Sequence, residues 1–302
     1  MKKQAVLIIV HKNNYVLEKN LELIDSPFID IFVHVDKKCK NFKSNYYKSK
    51  VKFSKIYFVH PRIDVRWSDY SQILVELNLI DFARKKGEYT YYHLISGQDL
   101  LIQPIEKMVE ICNHSNKLFL EYRKVKANTR WSKLLYQRVS VNHVFTKYVR
   151  SKIKAIQLFA RGLNKGWAEI QVLFNRDLVN KKHISLYYGS NWFSLPQDAI
   201  DFILQKRELI NYWFSEGWLV DELFIPSIIA QNQELVNRLT DDNKRKISWI
   251  DSGRSGHPYV WRLQDYNQIM DSNKFFARKF DEIVDKKIID KIYSNIRNLE
   301  RM

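Results

Sequence analysis

Residues 5–12 read Ala5-Val6-Leu7-Ile8-Ile9-Val10-His11-Lys12, six consecutive apolar residues followed by two bases. A run with no polar alternation suits a strand buried on both faces, which is the situation inside a parallel sheet covered by helices. The segments downstream repeat the theme. Tyr15 to Ile24 has helical spacing through Val16, Leu17, Leu21 and Ile24, and Asp30 to Val35 reads as a second strand. Lys55 to Val59 reads as a third, Ser68 to Lys85 as a long helix, Tyr91 to Ser96 as a fourth strand and Ile105 to Asn113 as a helix. Alternation at this spacing predicts an α/β fold with a mostly parallel central sheet and helices on both faces.

Further along, the sheet is expected to resume with Ile184 to Tyr188 and Asn191 to Leu195. Helices are expected over Gln197–Lys206, Val220–Ala230 and, as an amphipathic tail, Phe280–Asn298. Between the two halves lies a segment of a different kind. From Tyr122 to Ala168 there is no acidic residue but twelve Lys and Arg, out of a net charge of +17 for the 302-residue chain. Its apolar residues recur with helical period, so we read it as a basic helical insertion. A patch of this charge attracts nucleic acid or an anionic membrane surface. Ile153, Ile156 and Phe159 with Arg150, Lys152 and Lys154 suit the second, although the period alone leaves open which way the apolar stripe faces.

Other classes find little support. Cys39 and Cys112 are too few for a disulfide framework and read as reduced thiols of a cytosolic protein. The apolar run at the N-terminus is shorter than a signal-peptide core, and no run is long enough to span a bilayer. Glycine-rich dinucleotide and Walker-type loops are missing, as are zinc spacings and a Gly-x-Ser-x-Gly elbow. No nucleic-acid module is recognisable either, so nucleic acid is not an expected partner.

In open parallel sheets ligands bind beyond the carboxyl ends of the strands. Polar groups follow four such positions: Val10-His11, Val35-Asp36, Ser96-Gly97-Gln98-Asp99 and Ser190-Asn191-Trp192. Asp36 could hold a nucleoside, or simply form a turn. Asp221-Glu222 could supply a general base through Glu222, or serve as helix-start carboxylates favoured by the helix dipole. Arg278-Lys279, between Phe276 and Phe280, could neutralise a diphosphate, or lie solvated at the surface.

Taken in order, seven segments resemble the core-2/I-branching N-acetylglucosaminyltransferase and peptide O-xylosyltransferase family. They are Val10-His11-Lys12, His34-Val35-Asp36-Lys37, Leu94–Leu100, Leu120-Glu121-Tyr122 with Arg130-Trp131, Gly189–Ser194, Asp221-Glu222 and Phe276–Asp281. The resemblance implies a single GT-A-like domain. Residues 1–120 would form its nucleotide-binding half, 121–170 the insertion, 171–281 the acceptor and catalytic half and 282–302 a C-terminal helix. It also implies an inverting glycosyltransferase that uses a UDP-sugar donor with no cofactor or divalent metal, since Ser96-Gly97-Gln98-Asp99 stands where a metal motif would sit.

By the same resemblance Val10, His11 and Asp36 would hold the uridine, with Trp67 nearby. Glu222 would be the catalytic base, and Glu121 and Arg130 would bind the acceptor sugar, with Trp249 stacking on it. Lys279 would be one of two cations at the diphosphate, the other being Arg254 or His257. The expected activity is transfer of N-acetylglucosamine to a glycan or lipid-linked saccharide, with xylosyl or other hexosyl transfer as the nearest alternative. The expected location is the cytoplasm, peripheral at the inner face of the membrane. A basic nucleic-acid-binding protein is the reading from a different class.

Overall fold

A computed structural model describes residues 2–126, 128–240, 242–250 and 257–300. Four strands run parallel in the order β3-β2-β1-β4: β1 (Gln4–Val10), β2 (Ile29–Val35), β3 (Lys55–Phe58) and β4 (Tyr91–Ser96). Ser194–Pro196 adds an antiparallel edge strand beside β4. Leu7 is opposite both Phe32 and Leu94, in the middle of the sheet. Strand alternation then sends Ala5 and Leu7 into one core and Val6, Ile8 and Val10 into the other. The first core is covered by helix Ser71–Lys86 and the helices between residues 197 and 236. The second is covered by Tyr15–Leu23, Ile105–Asn113 and Lys286–Leu299. The α/β arrangement expected from the sequence, a mostly parallel central sheet with helices on both faces, is the one adopted, and helices Arg130–Ser140 and Lys154–Leu173 occupy the basic insertion.

Three expectations need correction. Tyr187–Tyr188 does not join the central sheet; it pairs with Arg123–Lys124 in a separate two-stranded ribbon. The helix expected over Val220–Ala230 begins only at Phe224, because Leu219 is left-handed at φ 52 and the next residues form turns. Asp221 and Glu222 therefore precede the helix instead of occupying its first turn. The tail helix starts at Lys286, where Asp285 caps it by accepting from the Ile288 N–H, so 280–285 lies outside it.

A second sheet of three short strands, Leu100–Leu101, Phe276–Arg278 and Arg245–Ile247, packs beside the first. Arg245 joins the two. Its guanidinium is buried and donates to the carbonyls of Phe193 (2.6 Å) and Leu94 (3.3 Å) and to Ser194 Oγ (3.2 Å). The same cation sits 4.9 Å from the Phe276 ring centroid. Ser194 Oγ is also 2.7 Å from Nδ1 of the buried His93, whose Nε2 reaches Gln4 Oε1. Among the described residues no helix is long and apolar enough to cross a membrane.

Arg245→Met keeps the apolar stem but removes the guanidinium from the buried Leu94 carbonyl and leaves the Phe193 carbonyl with the Leu94 N–H alone. Each buried acceptor left short of a donor costs about 1–3 kcal/mol, so the melting temperature should fall by roughly 5–10 °C for a chain of this size. Thermal unfolding followed by circular dichroism checks this, and a melting point unchanged from wild type would show that the guanidinium is dispensable.

Candidate active site

The parallel strands bring Val10 and Asp36 side by side at their carboxyl ends, the Asp36 N–H donating to the Val10 carbonyl at 2.8 Å. The Asp36 carboxylate is buried and accepts the Lys38 N–H (2.8 Å), and Lys38 Nζ stands 3.0 Å from its other oxygen. Lys38 also reaches Asp64 at 2.8 Å, tying the 64–66 loop to β2. His34 is buried beneath, its Nε2 accepting from the Ile63 N–H, and burial pushes its pKa down to about 4. His11 is exposed to solvent, yet loss of hydration on its protein side, then Lys12 and Lys279, lower its pKa.

Lys279 enters from the second sheet. Partial burial and the neighbouring Arg278 lower its pKa, while Lys12 adds further positive potential. Its backbone is clamped, its N–H donating to the Tyr259 carbonyl and its carbonyl accepting from the Trp261 N–H. Arg278 lies 4.2 Å over the Trp192 ring and 3.5 Å from Asp99. Asp99 is almost fully buried and already occupied, accepting from the Ser96 N–H (2.7 Å) and Ser96 Oγ (2.9 Å). Lys12 pairs with Asp281 at 3.6 Å. Lys12, Arg278 and Lys279 thus form a cationic cluster beside the buried Asp36, with His11 held towards its neutral form next to them.

Segment 188–192 links this cluster to a group of carboxylates. The Gly189 N–H donates to the Glu222 carbonyl (2.9 Å) and the Ser190 N–H to Glu121 Oε2 (3.2 Å). A Cβ on Gly189 would stand 1.8 Å from the Glu121 carbonyl oxygen, so only glycine allows the two backbones to approach this closely. Glu222 Oε2 receives Arg138 Nη1 at 2.7 Å, and the same nitrogen donates to the Leu219 carbonyl. The Arg138 carbonyl accepts from the Trp218 N–H, and the Leu219 N–H donates to Ser68, itself left-handed at φ 70. The turn carrying Glu222 is therefore pinned at both ends. Asp221 is buried and accepts from Gln72 Nε2 (3.0 Å). Burial first, and the Glu222 charge second, push its pKa up to about 7. Glu76 is deeper still, held well above the usual carboxylate range by burial and then by Asp221.

On the far side of Arg138 an apolar groove of about 720 Å³ runs between the two insertion helices, walled by Trp67, Leu134, Val149, Val172 and Trp218. Arg150 covers one face of Trp67, its guanidinium 3.4 Å from the ring centroid.

The residues singled out from sequence fall into three places. Val10, His11, Asp36 and Lys279 come together, as do Glu222 and Glu121. Arg130 begins the first insertion helix, whose neighbour Trp131 meets Tyr188 edge-on at 4.9 Å. Trp67 belongs to the groove. Trp249 and His257 sit on opposite strands of a small hairpin that leads through Tyr259 to the Lys279 backbone; Arg254 lies outside the described residues. Arg138, Gln72 and Glu76 were missed as site residues, and Trp192 was named only with segment 190–192. Arg138 is 84 positions from Glu222, and no local pattern marks such a pairing.

A family model described as "Core-2/I-Branching enzyme" matches residues 5–271. A beta-1,3-galactosyl-O-glycosyl-glycoprotein beta-1,6-N-acetylglucosaminyltransferase 4 of Danio rerio is 20% identical over 94% of this chain and 67% of its own. Beta-glucuronosyltransferase GlcAT14B of Arabidopsis thaliana is 27% identical over 37% of this chain. The matched region is about a quarter of that relative's length, at 26%. The crystal structure of mouse xyloside xylosyltransferase 1 overlaps 92% of this chain and 97% of its own, at 8% identity. Its TM-score of 0.41 is too low for the likeness to bear on the site.

Asp221 yields a pH test. Its folded pKa is raised to about 7 from an ordinary 3.8, so the unfolded chain gives up this proton first. Folding is then opposed increasingly as pH rises from about 4, and fully above about 7. Asp221→Asn removes the charge and keeps a partner for Gln72, so its gain in melting temperature over wild type should be larger at about pH 8 than at about pH 4.5. A gain independent of pH, or largest in acid, would contradict the buried-carboxyl assignment.

Proposed function

This chain belongs to the Core-2/I-Branching enzyme family, and from that premise we propose that it is an inverting, metal-independent glycosyltransferase of the cytoplasm. The donor is a UDP-sugar, with N-acetylglucosamine preferred to xylose or another hexose. The acceptor is a glycan, in the form of a lipid-linked saccharide. The observation that carries the reading is the pairing across segment 189–192: a carboxylate braced by Arg138 at one end, and Arg278 and Lys279 at the other.

In this reading the acceptor hydroxyl attacks the anomeric carbon. Its new C–O bond forms as the bond to the diphosphate breaks, and Glu222 takes the hydroxyl proton. UDP leaves with its added negative charge beside Lys279 and Lys12, where fixed cations stabilise the departing phosphate, and His11 can donate a hydrogen bond from its ring N–H. Arg254 and His257 remain the expected sources of a second cation, and Arg278, the last residue of the strand that precedes Lys279, adds a third candidate. The buried, already hydrogen-bonded Asp99 supports a site that uses these cations in place of a metal. Asp36 suits the uridine. The apolar groove beyond Arg138 supports an acceptor with a hydrophobic carrier.

Two experiments test the reading. Glu222→Gln should lower transfer by about 10²–10⁴-fold with UDP affinity near wild type, the loss expected for a general base. The assay follows UDP release with UDP-N-acetylglucosamine, UDP-xylose and UDP-glucuronate as donors, and full activity in the variant would remove Glu222 from the chemistry.

Lys279→Ala should weaken UDP by roughly 10–100-fold, the range for a lost charge-assisted bond, while uridine binding barely changes. UDP should raise the wild-type melting temperature equally in EDTA and in Mn²⁺. Calorimetry and thermal shift read both, and a strict need for divalent metal in UDP binding would overturn the metal-free mechanism.

A further inference from the structure

Helix Lys154–Leu173 is built the wrong way round for water. Ile156, Phe159, Leu163, Trp167, Ile170 and, just past its end, Phe174 recur at steps of three and four, so they share one face. That face points outward, the six side chains being 39–79% exposed. The buried face is polar: Asn164 and Gln171 are 3% and 4% exposed. Asn164 Oδ1 accepts the Val144 N–H (2.9 Å). The Gln171 amide accepts the Asn142 N–H (2.9 Å) and donates to the Asn142 carbonyl (2.8 Å). Arg161 Nε adds a bond to the Val149 carbonyl at 3.0 Å. The helix is thus attached to the body by hydrogen bonds, while an apolar stripe of six turns to the outside. A surface helix of a protein that meets only water has the opposite arrangement.

The charge around the stripe narrows the occupant. Between Val144 and Arg176 stand seven Lys and Arg and a single acid, Glu169. Lys147, Lys152 and Lys154 cluster at the entry to the helix and are exposed. A second copy of the chain would set the same cations against each other across the contact. A negatively charged, apolar-backed surface satisfies both features at once, and aromatic and aliphatic residues beside lysines are the composition of helices that lie in the headgroup layer.

We propose that helix Lys154–Leu173 docks the protein on an anionic lipid bilayer, lying in the interface with Phe159, Leu163, Trp167 and Ile170 among the acyl chains. Binding is peripheral, because the stripe occupies one face only. The opposite flank of the helix, through Lys165, Ala168 and Val172, walls the groove that ends at Arg138. Docking therefore sets that groove against the bilayer. The proposal stands independently of the donor and acceptor assigned above, since its readout is lipid binding and not transfer.

The test is flotation of the full chain with phosphatidylcholine vesicles, with and without roughly 30% phosphatidylglycerol, in low and high salt. The protein should float with the anionic vesicles at low salt, at least tenfold more than with neutral ones. Salt should release it. The triple variant Phe159→Ser, Trp167→Ser, Ile170→Asn should lose flotation while melting like wild type, since these side chains are exposed. Lys147→Gln with Lys152→Gln and Lys154→Gln should lose it separately, which keeps the test decisive if the triple variant folds poorly. Tryptophan emission should shift to the blue on adding anionic vesicles to wild type, and less with Trp167→Phe. Equal binding to neutral vesicles, or flotation untouched by either variant, would overturn the proposal. No flotation, with a dimer in lipid-free buffer that the triple variant separates, would assign the stripe to a second copy instead.

Discussion

The second sheet, and Lys279 with it, depends on one buried cation. Among the described residues Arg245 makes no ion pair; its terminal nitrogens donate to the carbonyls of Leu94 and Phe193 and to the Ser194 hydroxyl, and burial lowers its pKa to about 10. Burying a cation is costly unless its hydrogens are satisfied. Here the donors join the last parallel strand, the antiparallel edge strand and the strand Arg245–Ile247. That strand pairs with Phe276–Arg278 in fixed register, Ala277 opposite Lys246. The position of Lys279 relative to His11 and Asp36 thus follows from contacts made well away from the cationic cluster.

The antiparallel direction of Ser194–Pro196 has a second consequence. A strand running against its neighbours begins at the end where they finish. Segment 189–193 therefore enters the sheet at the carboxyl ends of β1, β2 and β4, although it precedes its own strand. Gly189, Ser190 and Trp192 span the space from Glu222 and Glu121 to Arg278, and only glycine fits where the segment passes the Glu121 backbone. The buried Asp221 and Glu76 lie behind Glu222 with raised pKa values, and among the described residues the cation paired with these three carboxylates, Arg138, acts on Glu222.

Strands and helices that bury a whole face were legible in the sequence, because periodicity reports burial directly. The four parallel strands and the helices expected at Tyr15–Ile24, Ser68–Lys85 and Ile105–Asn113 fall within a few residues of their expected ends, whereas the short helix Ser44–Lys48 was not foreseen. Legibility failed where structure rests on distant partners. Tyr187–Tyr188 has strand composition, but its pairing with Arg123–Lys124 depends on where the insertion leaves the main chain. The start of helix Phe224–Ile229 is set by the left-handed Leu219, which hydrogen bonds to Ser68 and Arg138 hold in place. Arg138 was visible only as one base among twelve, and Arg245 carried no signal at all.

The insertion shows the limit of periodicity most clearly. A helical stripe of Ile, Phe, Leu and Trp ordinarily marks the face packed on the core, and the same spacing is produced when the stripe faces outward. What separates the two cases is which residues of the helix are buried, here a face that flanks the stripe beside Trp167. On Lys154–Leu173 that face offers Asn164 and Gln171, whose amides can replace backbone partners for Asn142 and Val144, whereas Leu and Ile cannot. A polar residue with both donor and acceptor, recurring on the flank of an apolar stripe, thus signals attachment by hydrogen bonding and release of the stripe to another surface. The twelve bases divide accordingly: Arg138 braces the Glu222 carboxylate, Arg150 lies against Trp67 at the groove, and Lys152 and Lys154 stand beside the outward stripe. One segment thereby carries both a group that orders the candidate active site and the surface that faces away from it.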